Sequence, residues 1–383
     1  MRLNESGVSR RNVLKATGGA TAGLAISGLA SAAPTDKVEV NVGFSSERGR
    51  AMARDAAEDV IREFEFDAMT MRVRKRAATA LEKNPNIRYV EENGTMHALA
   101  EDLPWGIDRV DAEVAHSNGY LGAGADVAII DTGIDSDHPD LQDYLGAGAY
   151  AVSCSSGECQ QGWDDDNGHG THCAGIAAAN DNAQGVVGVG PNITLHAVKV
   201  LNSQGGGSMS DIAAGVEYVA DQGWDVGSMS LGGSTGSATL RDACQYAVNN
   251  GVFVVAAAGN SGPCTDCVGY PAAYPEVMAV GSTNSSDGLS YFSSTGPEVE
   301  IAAPGSSIYS TYPDEAYDTH SGTSMACPHV AGAAGQLMAQ GYSNSGARSQ
   351  LTNTAEDIGL ASNESGSGLL DVAAALGLNS TDN

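Results

Sequence analysis

The sequence predicts an α/β fold, a parallel β-sheet covered by helices on both faces, with a smaller α+β unit ahead of it. Three observations carry this. From about Leu103 onward, "ADVAIIDTGID", "ITLHAVKVL", "DVGSMSLGG", "VFVVAAAGN" and "VMAVGS" are continuous apolar runs that end in glycine or polar residues. Helical stretches such as "MSDIAAGVEYVADQG" and "SATLRDACQYAVNNG" fall between them. Unbroken apolar strands alternating with helices indicate a sheet buried on both sides. The charge changes at the same point. Residues 1–100 hold 15 of the 19 basic residues and 13 acidic ones, a net of +2, whereas residues 101–383 hold 34 acidic residues against Arg109, Lys199, Arg241 and Arg348, a net of −30. Regions of such different composition read as separate folding units.

At the amino terminus, "SRRNVLKATGGATAGLAISGLASAAP" combines Arg10 and Arg11, an apolar stretch from about Ala16 to Leu29, and small residues at Ala30–Ala33. Residues 1–33 are therefore assigned as a signal peptide, and the adjacent arginines resemble a twin-arginine export signal. The apolar stretch is glycine-rich and shorter than the ~20 residues of a transmembrane span, so no stable membrane anchor is expected. Residues 34–100 follow as strand "KVEVNVGF", charged helix "ERGRAMARDAAEDVIREF", strand "AMTMRV", helix "RKRAATALEKNP" and strand "IRYVEENGTMHA". A segment this short buries little surface and is expected to be marginal by itself.

A net charge of −30 on one domain destabilises the compact state by self-repulsion in dilute buffer. The Debye length falls to ~3 Å at 1 M salt, which removes most of that penalty. A protein adapted to high salt is expected. The scarcity of basic residues in 101–383 argues against a nucleic-acid partner.

Four residues in the larger region stand out, and each has a structural reading beside a chemical one. Ser324, in "HSGTSMACPHVAG", precedes a small-residue run that reads as a buried helix, so by itself it is a helix-capping serine. Asp131 ends the run "VAII", where a carboxylate is either a turn residue or a satisfied functional group. His169 lies between glycines in "DDDNGHGTHCAG", with His172 as a nearby competitor. Asn260 ends "VVAAAGN" and is either a turn residue or an amide donor aimed at developing negative charge.

Together, "DTGID", "HGTHCAG", "SMSLGG", "AAAGNSG" and "GTSMACPHVAG", in this order over nearly all of 103–376, resemble the subtilisin-type serine proteases, the subtilases. The acidic composition and paired arginines make the chain most similar to the halolysin-type enzymes of haloarchaea. The resemblance implies a secreted serine endopeptidase with Ser324 as nucleophile, His169 as general base and then acid, and Asp131 orienting the imidazole. Asn260 is implied as the oxyanion donor. Residues 228–233 and 256–259, including Ser230, Leu231, Gly232, Gly233, Ala258 and Gly259, are implied to bind extended polypeptide substrate by strand addition. Gly269 is implied as the floor of a roomy pocket with no charge nearby, which predicts large apolar residues before the scissile bond. Pro328 falls early in its helix, where a missing N–H is tolerated.

Further implications concern metal and maturation. Asp140, Asn182 and Glu101 match a structural Ca²⁺ site, and hard oxygen donors suit that ion. Gln184 departs from the usual branched residue there. Residues 34–100 resemble the family's propeptide, an intramolecular inhibitor and folding aid, released by cleavage between about His97 and Asp102 to leave a monomeric domain of 101–383. The spacings of Cys154 with Cys159 and Cys264 with Cys267 suggest two short-loop disulfides in a secreted chain, each contributing roughly 2 kcal/mol. The rival zinc reading of Cys264 and Cys267 lacks a second ligand pair. Cys173 and Cys327 are expected to be buried thiols whose oxidation would inactivate the enzyme. Gly227 and Ser228 stand where a branched residue and asparagine are usual, and nothing in the sequence accounts for them. A non-catalytic protein of the same fold is the alternative, against which the intact set of four residues argues.

Overall fold

In the computed structural model, residues 37–93, 101–157 and 159–379 are described. The export signal and most of the expected maturation stretch lie outside them. The chain divides into two units, Met1–Ala98 and Leu99–Asn383.

In the first unit, β1 (Lys37–Phe44), α1 (Glu47–Ala56), β2 (Asp59–Phe64), β3 (Ala68–Arg74), α2 (Lys75–Glu82) and β4 (Ile87–Glu92) form an antiparallel sheet of order β2-β3-β1-β4 with two helices. Val42, Phe44, Met69, Met71 and Val73 form its core with Ala53 and Leu81 of the helices. The single charged helix expected over 47–64 is instead a helix and a strand. Ser46 caps α1 by accepting from Gly49 N. The chain turns extended at Ala57, and Val60 then pairs with Met71 of β3. Pairing with a neighbouring strand overrides the helical composition of that stretch.

The second unit opens with two short helices, α3 (Trp105–Arg109) and α4 (Ala112–Ser117). Its sheet comprises β5 (Asp126–Asp131), β6 (Ala149–Tyr150), β7 (Thr194–Lys199), β8 (Val226–Met229), β9 (Phe253–Ala257), β10 (Met278–Thr283) and β11 (Val299–Pro304). All are parallel, in the order β11-β10-β9-β8-β5-β7-β6. Five longer helices accompany it among the described residues: α5 (His169–Ala178), α6 (Met209–Gln222), α7 (Ala238–Asn249), α8 (Thr323–Ala339) and α9 (Asn344–Thr354). Alternate residues of β5 separate the two cores. Val127 and Ile129 pack with α5 and α8, while Ala128 and Ile130 pack with α6 and α7. This is the predicted sheet covered on both faces. The order reverses at β5, whose neighbours β7 and β8 continue in opposite directions, and in such sheets functional groups gather at the strands' carboxyl ends there.

Strand β11 and the hairpin of β12 (Ile308–Tyr312) and β13 (Ala316–His320) add to the expected elements. The structure gives no reason for glycine at position 227. In register with Ala128 and Val254, it faces Ile130, Val219 and Val252, and an added Cβ would meet them at ordinary contact distances of 3.4–3.8 Å. Its neighbour Ser228 points the other way, its hydroxyl 3.6 Å from the Cys327 sulfur. No helix among the described residues is long and apolar enough to cross a membrane.

Candidate active site

Asp131 is the last residue of β5 and is fully buried. Its Oδ1 accepts from Thr132 N and from His169 Nδ1, both at 2.7 Å. A carboxylate only accepts, so Nδ1 carries the proton and Nε2 is left with its lone pair. His169 is the first residue of α5, behind Gly168 at φ 102, a conformation that favours glycine. The preceding Asp165 builds this helix start, its carboxylate accepting from Asn167 N, Gly168 N, Thr171 N and Thr171 Oγ1 at 2.7–3.0 Å. Gly170 lets the helix approach closely: an added Cβ would sit 2.1 Å from Gly133 O. The loop after Asp131 and the helix bearing His169 are thereby locked together.

Burial works to lower the His169 pKa, but the charge and hydrogen bond of Asp131, with Asp165 adding, outweigh it and raise the value above 6.5. The imidazolium is favoured by its neighbours. A group in this setting is suited to receive a proton.

Ser324 is the second residue of α8, behind Gly322. Its hydroxyl donates to Ser230 O at 3.2 Å, and no Ser324–His169 hydrogen bond occurs among the described residues. Catalytic hydrogen bonds are often long or misaligned without substrate. Asn260 Oδ1 accepts from Thr323 N at 2.9 Å and Thr323 Oγ1 at 3.0 Å, which fixes the amide's orientation and leaves Nδ2 free to donate. A Cβ at Gly322 would lie 3.3 Å from Asn260 Nδ2 and 3.6 Å from Ser324 N, so the two donors converge on one small space.

Pro328 corrects the expectation about the helix start. It is the sixth helical residue, so its missing N–H strips the Ser324 carbonyl of its partner one turn on. Ser230 Oγ donates to that carbonyl at 2.8 Å and Cys173 Sγ at 3.4 Å. Cys173 and Cys327 are fully buried, and burial drives the Cys173 thiol well above its usual range and the Cys327 thiol up to about 12. Thiols so far from ionising react slowly with oxidants.

Ser230–Gly233 wall two cavities. One, of about 510 Å³, is also lined by Asn260, Gly269 and Ser324; the other, of about 500 Å³, contains His169 beside Leu201, Met209 and Ile212. An added Cβ at Gly269 would lie 3.2 Å from Gly233 O, so glycine allows these two lining segments to approach closely. Two expectations change here. Ala258 is fully buried and contributes its carbonyl to Gly269 N rather than a wall to the pocket. Asp266 lines the pocket, so a charge is present after all.

At the expected metal site, Asp140 is fully buried, with Oδ2 accepting from Val186 N and Tyr317 OH at 2.9 Å and Oδ1 without a partner. Glu101 accepts from Asn182 N at 3.1 Å, and burial, then Asp181, raise its pKa to about 7. Asn182 Oδ1 accepts from the backbone N of Gln184 at 3.2 Å. Both expected cysteine pairs are bonded, Cys154 to Cys159 and Cys264 to Cys267.

Sequence reading missed Lys199. Fully buried at the end of β7, its Nζ donates to Thr132 O, to Asp166 Oδ1 at 2.7 Å and to Leu201 O at 3.0 Å. It ties the residue after Asp131 to the loop before His169. The available signal was that it is the one lysine in residues 101–383.

A sequence model of the subtilase family matches residues 122–369. Subtilisin E of Bacillus subtilis (strain 168) is 42% identical over 337 residues, 87% of each chain. An alkaline protease of Shouchella clausii is 43% identical over 320 residues, 83% of this chain and 81% of its own. Subtilisin DY of Bacillus licheniformis is 47% identical over 280 residues, 72% of this chain and 99% of its own. With that similarity spanning both the sheet and the site at its carboxyl edge, the chain belongs to the subtilase family and is a serine endopeptidase.

Proposed function

We propose that this chain is a secreted endopeptidase of the halolysin type, working in high salt through an acyl-enzyme on Ser324. The observation that carries the chemistry is the 2.7 Å bond between His169 Nδ1 and a fully buried Asp131, in a unit that presents Ser324 at a helix start beside Asn260. His169 Nε2 takes the Ser324 proton as Oγ attacks the scissile carbonyl carbon. The carbonyl oxygen gains the negative charge and meets Asn260 Nδ2 and Ser324 N. Collapse breaks the C–N bond, the His169 proton goes to the leaving amine, and water repeats the sequence to release the acid. Although Asp266 lines it, the pocket bounded by Gly269 also presents Leu231 and Val268, which favours large apolar residues before the scissile bond, and Leu201, Met209 and Ile212 offer a second apolar contact. A fluorophosphonate tests this: covalent labelling of Ser324, absent in Ser324→Ala, is expected. An unlabelled wild type in high salt would overturn it.

Residues 1–33 are proposed as a twin-arginine signal, 34–100 as an inhibitory propeptide and 101–383 as the mature, monomeric domain. The first unit's exposed Ile61, Phe66 and Tyr89 favour a module that acts by covering another surface. Adaptation to salt is supported by the basic side chains of the second unit. Arg109 pairs with Asp287 and Glu356, Arg241 with Glu276, Arg348 with Glu300 and Lys199 with Asp166, so each of the four lysine and arginine side chains in residues 101–383 is already engaged by a carboxylate. Ca²⁺ fits Asp140, Asn182 and Glu101, because the buried Asp140 Oδ1 has no partner and its charge is felt by Glu101, a setting that suits a hard cation. The ion supplies charge neutralisation and loop order there, with no step of the reaction.

A further inference from the structure

We infer that the Ser230 side chain is a positioning residue for the nucleophile, standing in for the helix hydrogen bond that Pro328 removes. The inference rests on the reading of Ser324 as nucleophile. It assigns the Ser230 hydroxyl a role separate from the substrate contacts expected of residues 230–233.

Pro328 has no N–H, so the Ser324 carbonyl, four residues earlier, loses its partner inside α8. A buried carbonyl left unpaired is destabilising and is normally satisfied from elsewhere. Ser230 Oγ supplies the stronger replacement at 2.8 Å, with the Cys173 thiol a weak donor at 3.4 Å. Ser324 Oγ in turn donates to Ser230 O at 3.2 Å. The two serines are thus joined by reciprocal side-chain to backbone bonds across 94 positions of sequence, one on α8 and one just past β8.

This pair sets where the nucleophile sits. Ser230 is itself nearly buried, and follows directly on a strand paired on both sides by β5 and β9. The sheet that carries Asp131 therefore also holds the first turn of α8. A proline at this position would otherwise free the turn bearing Ser324 to shift, and a displacement of about 1 Å at a reacting group lowers rate by about 10²-fold.

The test uses the full chain in high salt, with kcat and KM for a neutral peptide substrate normalised to sites titrated by a fluorophosphonate. Ser230→Ala is expected to lower kcat and the labelling rate by about 10- to 100-fold with KM within about twofold. Ser230→Thr, which keeps the hydroxyl, is expected to retain most activity. Adding Pro328→Ala to Ser230→Ala returns a backbone N–H to the Ser324 carbonyl, and is expected to recover most of the lost kcat. Ser230→Ala with wild-type kcat, a change confined to KM, or a double variant no better than Ser230→Ala would each overturn the inference. If Ser230→Ala fails to fold, the double variant decides: folded and labelled, it supports the role, and unfolded it refutes it. Failure of the wild type to label at Ser324 would instead refute the nucleophile reading.

Discussion

Replacing Asp131 by Asn probes the least exposed group of the site. In the wild type, Asp131 Oδ1 accepts the His169 Nδ1 proton at 2.7 Å, which leaves Nε2 free to receive a proton. An amide at this place can turn its NH₂ toward Nδ1 and hold the opposite tautomer, with the proton on Nε2 and no base available. In a serine-protease triad that change lowers kcat by about 10⁴, or about 5.4 kcal/mol at 1.36 kcal/mol per decade. The residual activity carries a second signature. The base must be neutral, so wild-type activity falls as pH drops through the His169 pKa, which lies above 6.5 because Asp131 outweighs burial. Without that charge the effect of burial gains ground, opposed only by Asp165, and the acid limb moves to lower pH. The assay is kcat/KM against pH at constant high salt, with active sites titrated. A limb that stays in place or moves upward would refute the electrostatic account, whatever happened to kcat.

Lys199→Met should lower unfolding stability by about 3–5 kcal/mol, since it leaves Asp166 buried without its cation; chemical denaturation at fixed salt measures this, and an unchanged midpoint would show the ion pair to be dispensable. For the same reason an amine-reactive ester should leave Lys199 unmodified in the folded unit and label it after denaturation. Gly227→Ala should raise stability by about 0.4–1 kcal/mol, because its Cβ meets Ile130, Val219 and Val252 at ordinary contact distances and restricts the unfolded chain; a lower melting temperature would refute that fit. Chelation should lower the melting temperature in wild type far more than in Asp140→Asn, and equal responses would argue against calcium at Asp140. Dialysis from ~1 M salt to dilute buffer should inactivate the enzyme as the Debye length rises from ~3 Å to ~30 Å, and full retained activity would refute salt adaptation.

Much of the larger unit was legible because its strands are buried on both faces. Five of the seven strands of its parallel sheet were apparent as apolar runs, and helices α6 and α7 as the stretches between them. The misses have local causes. The two-residue β6 is too short to carry a pattern, and in β11 the sequence "VEIAAP" is interrupted by a half-buried Glu300 and ends in proline. In the first unit, "DVIREF" has helical composition and becomes a strand because β3 offers it partners. At the site, Asp131, His169, Ser324 and Asn260 were recognisable from their motifs. Lys199, Thr323 and the Ser230 hydroxyl were not, because their roles lie in bonds to residues distant in sequence.

By itself the sequence determined the class of sheet, the division of charge at about residue 100, and the residue types needed for acyl transfer. These follow from periodicity, composition and local motifs, all of which are properties of neighbouring residues. Only the tertiary structure decided how the four residues are held. Asp165 builds the start of α5, Thr323 turns the Asn260 amide, Lys199 closes the loop between Asp131 and His169, and Ser230 answers the carbonyl that Pro328 leaves open. Each bond satisfies a polar group that folding has removed from water, and its partner is chosen by the chain's path in space rather than by spacing along it.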